Sequence, residues 1–324
     1  MKIMVFDVPA SSGGALTILE QYHRRAIEAM STKWIFVIST PKLSETSNTK
    51  VLNFPWAKKN WFYRIYFDCV VAPKLVNKYK PDEILSLQNV IIPRTKVKQT
   101  IYLHQPLTFA EKIYGGASKR IRRYILSKTT LVSLKKATKV IVQTIWMKEA
   151  CINKGISEGK IYVESPEITD VVRGCYIRDC KSPCLFIYPA VPTAYKNHVV
   201  ILKAAMLLKQ GNIENYRIIF TLTGEENKLS RKLLKSVKEN DLSIIFSGML
   251  SKEDLFSYYR KAILLFPSFI ESFGLPLLEA KLHNAPIITS DCAFSHEILD
   301  GYEKVDFFRY DDEKTLSELM GRYL

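Results

Sequence analysis

This 324-residue chain lacks most of the short motifs that would assign a function at sight. It has no apolar run near the roughly 20 residues needed to cross a bilayer; the stretch from Ala262 to Pro267 stops far short. The opening Met1–Pro9 segment is too short for a secretion signal, has no small-residue cleavage site behind it, and reads as a first buried strand. There are six cysteines, but none has paired metal spacing. Cys175, Cys180 and Cys184 lie close together without a His or further Cys at zinc-ligand distance, so reduced thiols in a cytoplasmic protein are expected. There is no G-x-S-x-G elbow, which speaks against a serine hydrolase, and no phosphate-binding G-x-x-x-x-G-K-[ST] loop, which speaks against an ATPase. There is also no D-x-D triplet and no His/Cys/Asp cluster suited to a metal, so no metal and no cofactor are expected.

Acidic residues are scarce in one half only. Residues 1–168 carry 27 Lys/Arg against 12 Asp/Glu, whereas residues 169–324 carry 20 of each, so the whole net charge of +15 belongs to the first half. From Lys112 to Lys148 there are ten Lys/Arg and no carboxylate. Such asymmetry points to an anionic partner, and nucleic acid, an anionic membrane surface and a phosphorylated acceptor all qualify. No recognition motif or aromatic-basic platform for nucleic acid accompanies the charge, so no nucleic acid is expected as partner. The segment Tyr114–Leu126, with Lys119, Arg120, Arg122 and Arg123, mixes cationic and apolar positions at near-helical spacing. That is the pattern of a basic amphipathic helix lying on an anionic membrane or meeting a phosphorylated acceptor.

Strand-like and helix-like segments alternate throughout, the rhythm of parallel sheets with crossover helices. Strands are expected at Lys2–Phe6, Trp34–Ile38, Glu83–Leu87, Thr100–Leu103 and Lys139–Gln143, with a first helix over Ala15–Met30. A polar break at Glu164–Glu167 leads into a turn-rich stretch, where a domain boundary separates residues 1–168 from 169–324. The rhythm then restarts. Strands are expected at Cys184–Tyr188, Tyr216–Thr223, Ile244–Ser247, Ile263–Phe266 and Pro286–Thr289, and helices at Asn197–Lys209, Lys228–Lys238, Glu253–Arg260 and Leu275–His283. The expected class is α/β, with two Rossmann-like doubly wound domains facing across a cleft lined by the carboxyl ends of both sheets.

The most informative segment is Glu271-Ser-Phe-Gly-Leu-Pro-Leu-Leu-Glu279, which follows a buried strand and opens a helix. Pro276 suits the first helical turn, Asn284 suits a left-handed cap at the far end, and Pro286 forbids continuation. Amides around Ser272, Phe273 and Gly274 would then stand free at a helix N-terminus, an anion site made of backbone and dipole. Glu279, about a turn further in, could accept hydrogen bonds from sugar hydroxyls.

This segment, with its continuation to Asp291 and Glu297, resembles the retaining glycosyltransferases of family 4, which have the GT-B fold; the resemblance extends over essentially the whole chain. It implies that Glu271 lies by the donor sugar, that Glu279 binds the nucleotide ribose, and that Phe273, Gly274 and Leu275 lie on the donor phosphates. It places Lys196 at the position of a lysine that neutralises the leaving diphosphate, while Val191 stands where an arginine partner is expected. Lys196 and the helix amides are then left to meet that charge. Gly13 and Gly14, between strand and helix, resemble the family's glycine loop, although a turn needing positive φ also explains them. His104 ends a strand at a point where the family has a histidine beside the donor sugar. His23, His198, His283 and His296 are read as structural. Many relatives build bacterial surface polysaccharide on lipid-diphosphate carriers, so a cytoplasmic enzyme, peripheral on the inner face of the plasma membrane, is expected. Its partners would be a nucleotide-sugar donor and a glycan or lipid-diphosphate-linked acceptor. A nucleic-acid-binding protein, or a GT-B enzyme of other chemistry such as an epimerase or phosphorylase, are the alternatives. Family members commonly end with a helix crossing back onto the first domain; here the chain stops soon after Thr315–Met320, and that brace is expected to be short or missing.

Overall fold

The computed structural model describes residues 1–11, 13–110, 117–167, 174–178 and 182–324. The chain divides into two units, Met1–Glu167 and Ile168–Leu324.

The first unit is built on a seven-stranded parallel sheet. Its strands are β1 (Lys2–Asp7), β2 (Lys33–Ile38), β3 (Thr49–Asn53), β4 (Glu83–Ser86), β5 (Lys98–Leu103), β6 (Lys139–Val142) and β7 (Ile161–Val163). Their spatial order is β3-β2-β1-β4-β5-β6-β7. Its helices are α1 (Gly13–Glu28), α2 (Trp61–Tyr66), α3 (Ala72–Tyr79), α4 (Ala117–Lys136) and α5 (Ile145–Asn153), with a π-helical turn, Phe67–Val71, joining α2 to α3. The strands are near-continuous apolar runs because helices cover both faces. On one face Ile3 and Val5 pack with Ile18, Leu19 and Tyr22 of α1. On the other, Met4 and Phe6 pack with Phe67, Ala72 and Val76, and Ile101 and Leu103 pack with Leu134 and Met147. Phe6 pairs in register with Ser86, and Ser86 with Ile101. Paired residues of parallel neighbours share a face, so the α2–α3 segment and α4 lie in one helical layer, opposite α1.

The second unit repeats the plan with β8 (Cys184–Tyr188), β9 (Tyr216–Phe220), β10 (Ile244–Phe246), β11 (Ala262–Phe266), β12 (Ile287–Ser290) and β13 (Val305–Phe308). The spatial order is β10-β9-β8-β11-β12-β13, again all parallel. Its helices are α6 (His198–Gln210), α7 (Lys228–Glu239), α8 (Lys252–Tyr259), α9 (Leu275–Leu282), α10 (Ala293–Ile298) and α11 (Glu313–Gly321), the last packing against α6 within the same unit. Two of the starts are clear in side-chain terms. Asn227 caps α7 by accepting from the amides of Leu229 and Ser230, and Ser251 caps α8 by accepting from Asp254.

Every strand read from the sequence is present within a residue or two, apart from the overlong reading to Thr223. Three strands went unread: β3, β7 and β13. All three lie at or next to a sheet edge and are short or half exposed, so their hydrophobic pattern is weak. The glycine loop needs correction. Gly13 and Gly14 are not ahead of the first helix but open it, with Gly13 at φ 61. A left-handed residue at that point turns the chain from strand direction into helix direction.

Candidate active site

In an open parallel sheet, ligands bind where the strand order reverses, because adjacent crossovers leave in opposite directions and open a crevice at the carboxyl ends. In the second unit that point lies between β8 and β11. The loop after β8 carries Lys196 and the loop after β11 carries Glu271. The lysine Nζ lies 2.5 Å from Glu271 Oε1, the two side chains being 15% and 12% exposed.

Lys196 ends a 3-10 turn (Ala194–Lys196), and Asn197 beside it takes the left-handed conformation at φ 56. The Tyr188 hydroxyl donates to the Lys196 carbonyl at 2.6 Å and lies 2.9 Å from Ser268 Oγ. The Phe269 amide donates to the Tyr195 carbonyl at 3.1 Å. Ser290 Oγ donates to the Ser268 carbonyl, and Asn197 Nδ2 donates to the Tyr310 carbonyl at 2.6 Å. The loops following β8, β11 and β13 and the last residue of β12 are thus tied into one base, and the Lys196–Glu271 pair sits on it. Ring faces of Tyr195 and Phe266 lie 5.6 and 5.7 Å from the ammonium, an added attraction in a partly dry setting.

Helix α9 starts beside this pair. Gly274 is its N-cap at φ 95, ψ 55, no side chain caps it, and Pro276 occupies the first turn. A Cβ at Gly274 would lie 3.2 Å from Leu277 Cδ1, so conformation and space both call for glycine. Phe273 is buried under the turn, and Ser272 and Leu275 are half-buried at its rim. The uncapped N-terminus of α9 therefore carries partial positive charge next to Lys196, the combination that holds a phosphate. At the far end Asn284 has φ 56, and the Ala285 amide closes on the Ala280 carbonyl at 3.0 Å.

Glu279, one turn into α9, is partly buried. Tyr259 of α8 donates its hydroxyl to Oε2 at 3.1 Å. Burial raises the Glu279 carboxyl above its ordinary value, against the opposing pull of the Tyr259 hydroxyl and the Lys252 charge. Tyr259, Tyr188, Ser268 and Asn197 were not picked out by sequence reasoning. Each sits in an ordinary apolar or turn pattern, and only its partner reveals its use.

In the first unit, His104 follows β5. Its backbone amide donates to Asn89 Oδ1 at 3.0 Å, its ring Nδ1 is buried without a partner, and burial lowers its pKa to about 4. It is therefore a neutral imidazole at physiological pH, with a nitrogen available for hydrogen bonding. Asp7, at the end of β1, is fully buried, and burial pushes its carboxyl up to about 8, with the Ala10 backbone amide and the Arg64 and Lys58 charges opposing. Among the basic residues, Arg120 and Arg122 of α4 are exposed. Arg123 is half-buried and donates to the Leu107 carbonyl at 3.0 Å, so part of its capacity is used inside the fold. The Lys119 side chain lies outside the described residues. His198 lies among Tyr188 and Phe220, and burial lowers it to about 3; His23, His283 and His296 hydrogen-bond Ser44, Glu279 and Asp291. Val191 is exposed. Among the described residues no group of three or more His, Cys, Asp and Glu is placed to hold a metal, and no helix is long and apolar enough to cross a membrane.

Residues 181–323, nearly all of the second unit, match the family model described as glycosyl transferases group 1. Over 292 residues the chain is 24% identical to the O-antigen chain mannosyltransferase RfbU of Salmonella typhimurium, covering 86% of this chain and 74% of that protein. The sucrose-phosphate synthase structure from Thermosynechococcus elongatus superposes with a TM-score of 0.77 at 15% identity, covering 99% of this chain and 89% of that one. Anabaena HepE, solved in complex with UDP and glucose, superposes at 0.70 with 13% identity and the same two coverages. The fold is the GT-B fold, and the second unit is similar in sequence to the glycosyl transferases of group 1.

Proposed function

We propose that the chain transfers a hexose-type sugar from a nucleotide-sugar donor, with retention at the anomeric carbon, to a glycan or lipid-diphosphate-linked acceptor in bacterial surface-polysaccharide synthesis. The single observation that carries this reading is the Lys196–Glu271 pair at 2.5 Å beside the uncapped N-terminus of α9. In the proposed mechanism the donor diphosphate rests on the amides of Phe273, Gly274 and Leu275, and Lys196 meets its growing charge as the sugar departs. Glu271 faces the sugar and Glu279 the ribose. No metal takes part. A preorganised cation and helix end act where charge develops, the kind of stabilisation that contributes most in group transfer. The first unit would bind the acceptor, with Gly13, Gly14 and neutral His104 taking the roles that the resemblance implies.

The sequence match to an O-antigen mannosyltransferase supports a polysaccharide context. Docking on the inner face of the plasma membrane through the basic segment 112–136 belongs to the same proposal, supported by the charge of the first unit. Screening nucleotide sugars for thermal stabilisation tests the donor: a preferred one raises the melting temperature by mass action. Product analysis with and without acceptor then separates transfer from epimerisation or phosphorolysis. If no nucleotide sugar or nucleoside diphosphate stabilises the protein, the reading fails.

A further inference from the structure

Glu279 has two carboxylate oxygens, and the fold engages one of them. The Tyr259 hydroxyl donates to Oε2 at 3.1 Å, and no other hydrogen bond reaches this carboxylate among the described residues. Glu279 is half-buried rather than enclosed, so Oε1 keeps its lone pairs for a ligand. Tyr259 itself is fully buried, with its ring 6.4 Å from that of Phe256 and 5.6 Å from that of His283. Its hydroxyl makes this one hydrogen bond among the described residues. A buried phenol without a partner would cost the whole desolvation of its hydroxyl, so this bond is needed by both sides.

Helix geometry sets the direction of approach. Helices α8 and α9 each follow a strand of the same parallel sheet, β10 and β11, so both start at its carboxyl edge. Side chains of a helix lean towards its N-terminus. Glu279 therefore leans towards the uncapped start of α9, and Tyr259, the last residue of α8, reaches the same way from the amino edge of the sheet. A ring packed against Phe256 and His283 is held in place, and it fixes a carboxyl whose last torsion is otherwise broad. The phenol also keeps its proton, because burial and the Glu279 charge hold its pKa well above the ordinary value. Tyr259 is thus a permanent donor, and its bond favours the ionised, acceptor-only form of Glu279.

We propose that Tyr259 is a positioning residue for nucleotide recognition: it holds Glu279 by Oε2 so that Oε1 accepts from a ribose hydroxyl, and so makes nucleotide affinity depend on that hydroxyl. This rests on the reading of Glu279 as the group that meets the ribose and deepens it. A site built to bond a hydroxyl rejects an analogue lacking it, because the buried polar group is then left without its partner. The rejection is strong where the carboxylate is fixed beforehand; a mobile one turns to water and loses little.

The test is calorimetric titration of the full chain with inorganic pyrophosphate and with UDP, GDP and ADP, each beside its 2′-deoxy and 3′-deoxy forms. The wild type should bind its preferred ribonucleoside diphosphate about tenfold or more tighter than at least one deoxy form. Tyr259→Phe keeps the ring and its packing. It should lose about tenfold for that ribonucleotide, while affinity for the rejected deoxy form and for pyrophosphate changes less than about twofold. Glu279→Ala should abolish the preference, and Tyr259→Phe added to it should change the ratio no further. A preference retained in Tyr259→Phe, or absent from the wild type, overturns the proposal. So does an equal loss in Tyr259→Phe for ribonucleotide, deoxynucleotide and pyrophosphate, the mark of a merely structural role. In each of these cases wild-type binding of a nucleoside diphosphate leaves the function proposed above standing, whereas no binding of any nucleoside diphosphate refutes both.

Discussion

Removing one partner of the Lys196–Glu271 pair should separate catalysis from stability. In the folded chain the two charges lie 2.5 Å apart and are mostly shielded. Deleting one partner of a buried pair typically costs about 3–5 kcal/mol, because the remaining charge stays desolvated. Here the ammonium keeps two ring faces and some solvent, so Glu271→Ala is expected to cost about 2 kcal/mol, below that range. For a unit of this size each kcal/mol lowers the melting temperature by roughly 2–4 °C. Glu271→Gln retains an acceptor oxygen and should cost less. Turnover should nonetheless fall by about 100-fold or more in both variants, the scale set by losing one preorganised group at a reacting centre. The diagnostic readout is ligand-dependent. In Glu271→Ala the lysine is freed to serve the phosphate, so a saturating nucleoside diphosphate should stabilise this variant at least as much as the wild type. In Lys196→Met, part of that stabilisation should vanish. The assay is thermal denaturation with and without diphosphate, alongside turnover with the donor found by screening. Full turnover in Glu271→Ala, or undiminished diphosphate stabilisation in Lys196→Met, would refute the roles assigned to the pair.

Three further outcomes are expected. Gly274→Ala should cost about 1–3 kcal/mol, because a side chain at φ 95 is strained and its Cβ meets Leu277 at 3.2 Å; it should also weaken diphosphate binding by displacing the first turn of α9. Asp7 is held protonated by burial, its folded pKa of about 8 lying above the unfolded value. Its contribution to stability is therefore fully present below pH 4 and is lost as pH rises through about 8; Asp7→Asn should remove this dependence and raise stability at pH 8 by up to a few kcal/mol, read by denaturation across pH. His104 should remain neutral in proton NMR down to about pH 4, so a fall in rate between pH 7 and 5 that Gln in its place abolishes would contradict its assignment.

The sequence by itself determined what depends on neighbours along the chain. Alternating apolar runs and polar helices specified nearly all the central strands, because a strand buried on both faces has to be apolar throughout. Pro276 and Asn284 marked the two ends of α9, and the structure has the proline in the first turn and Asn284 at φ 56, since fixed and left-handed φ values are local properties. The charge imbalance between halves was likewise plain. Tertiary structure alone decided what depends on partners far apart in sequence. The edge strands β3 and β13 are strands because a neighbour's unpaired edge offers hydrogen bonds, not because their own pattern requires it. Lys196 and Glu271 lie 75 positions apart and pair only where β8 meets β11. Tyr259 looked like core until its hydroxyl reached Glu279. Local conformation follows from bonds and sterics within a few residues, whereas pairing, burial and exposure follow from which segments the sheet brings side by side.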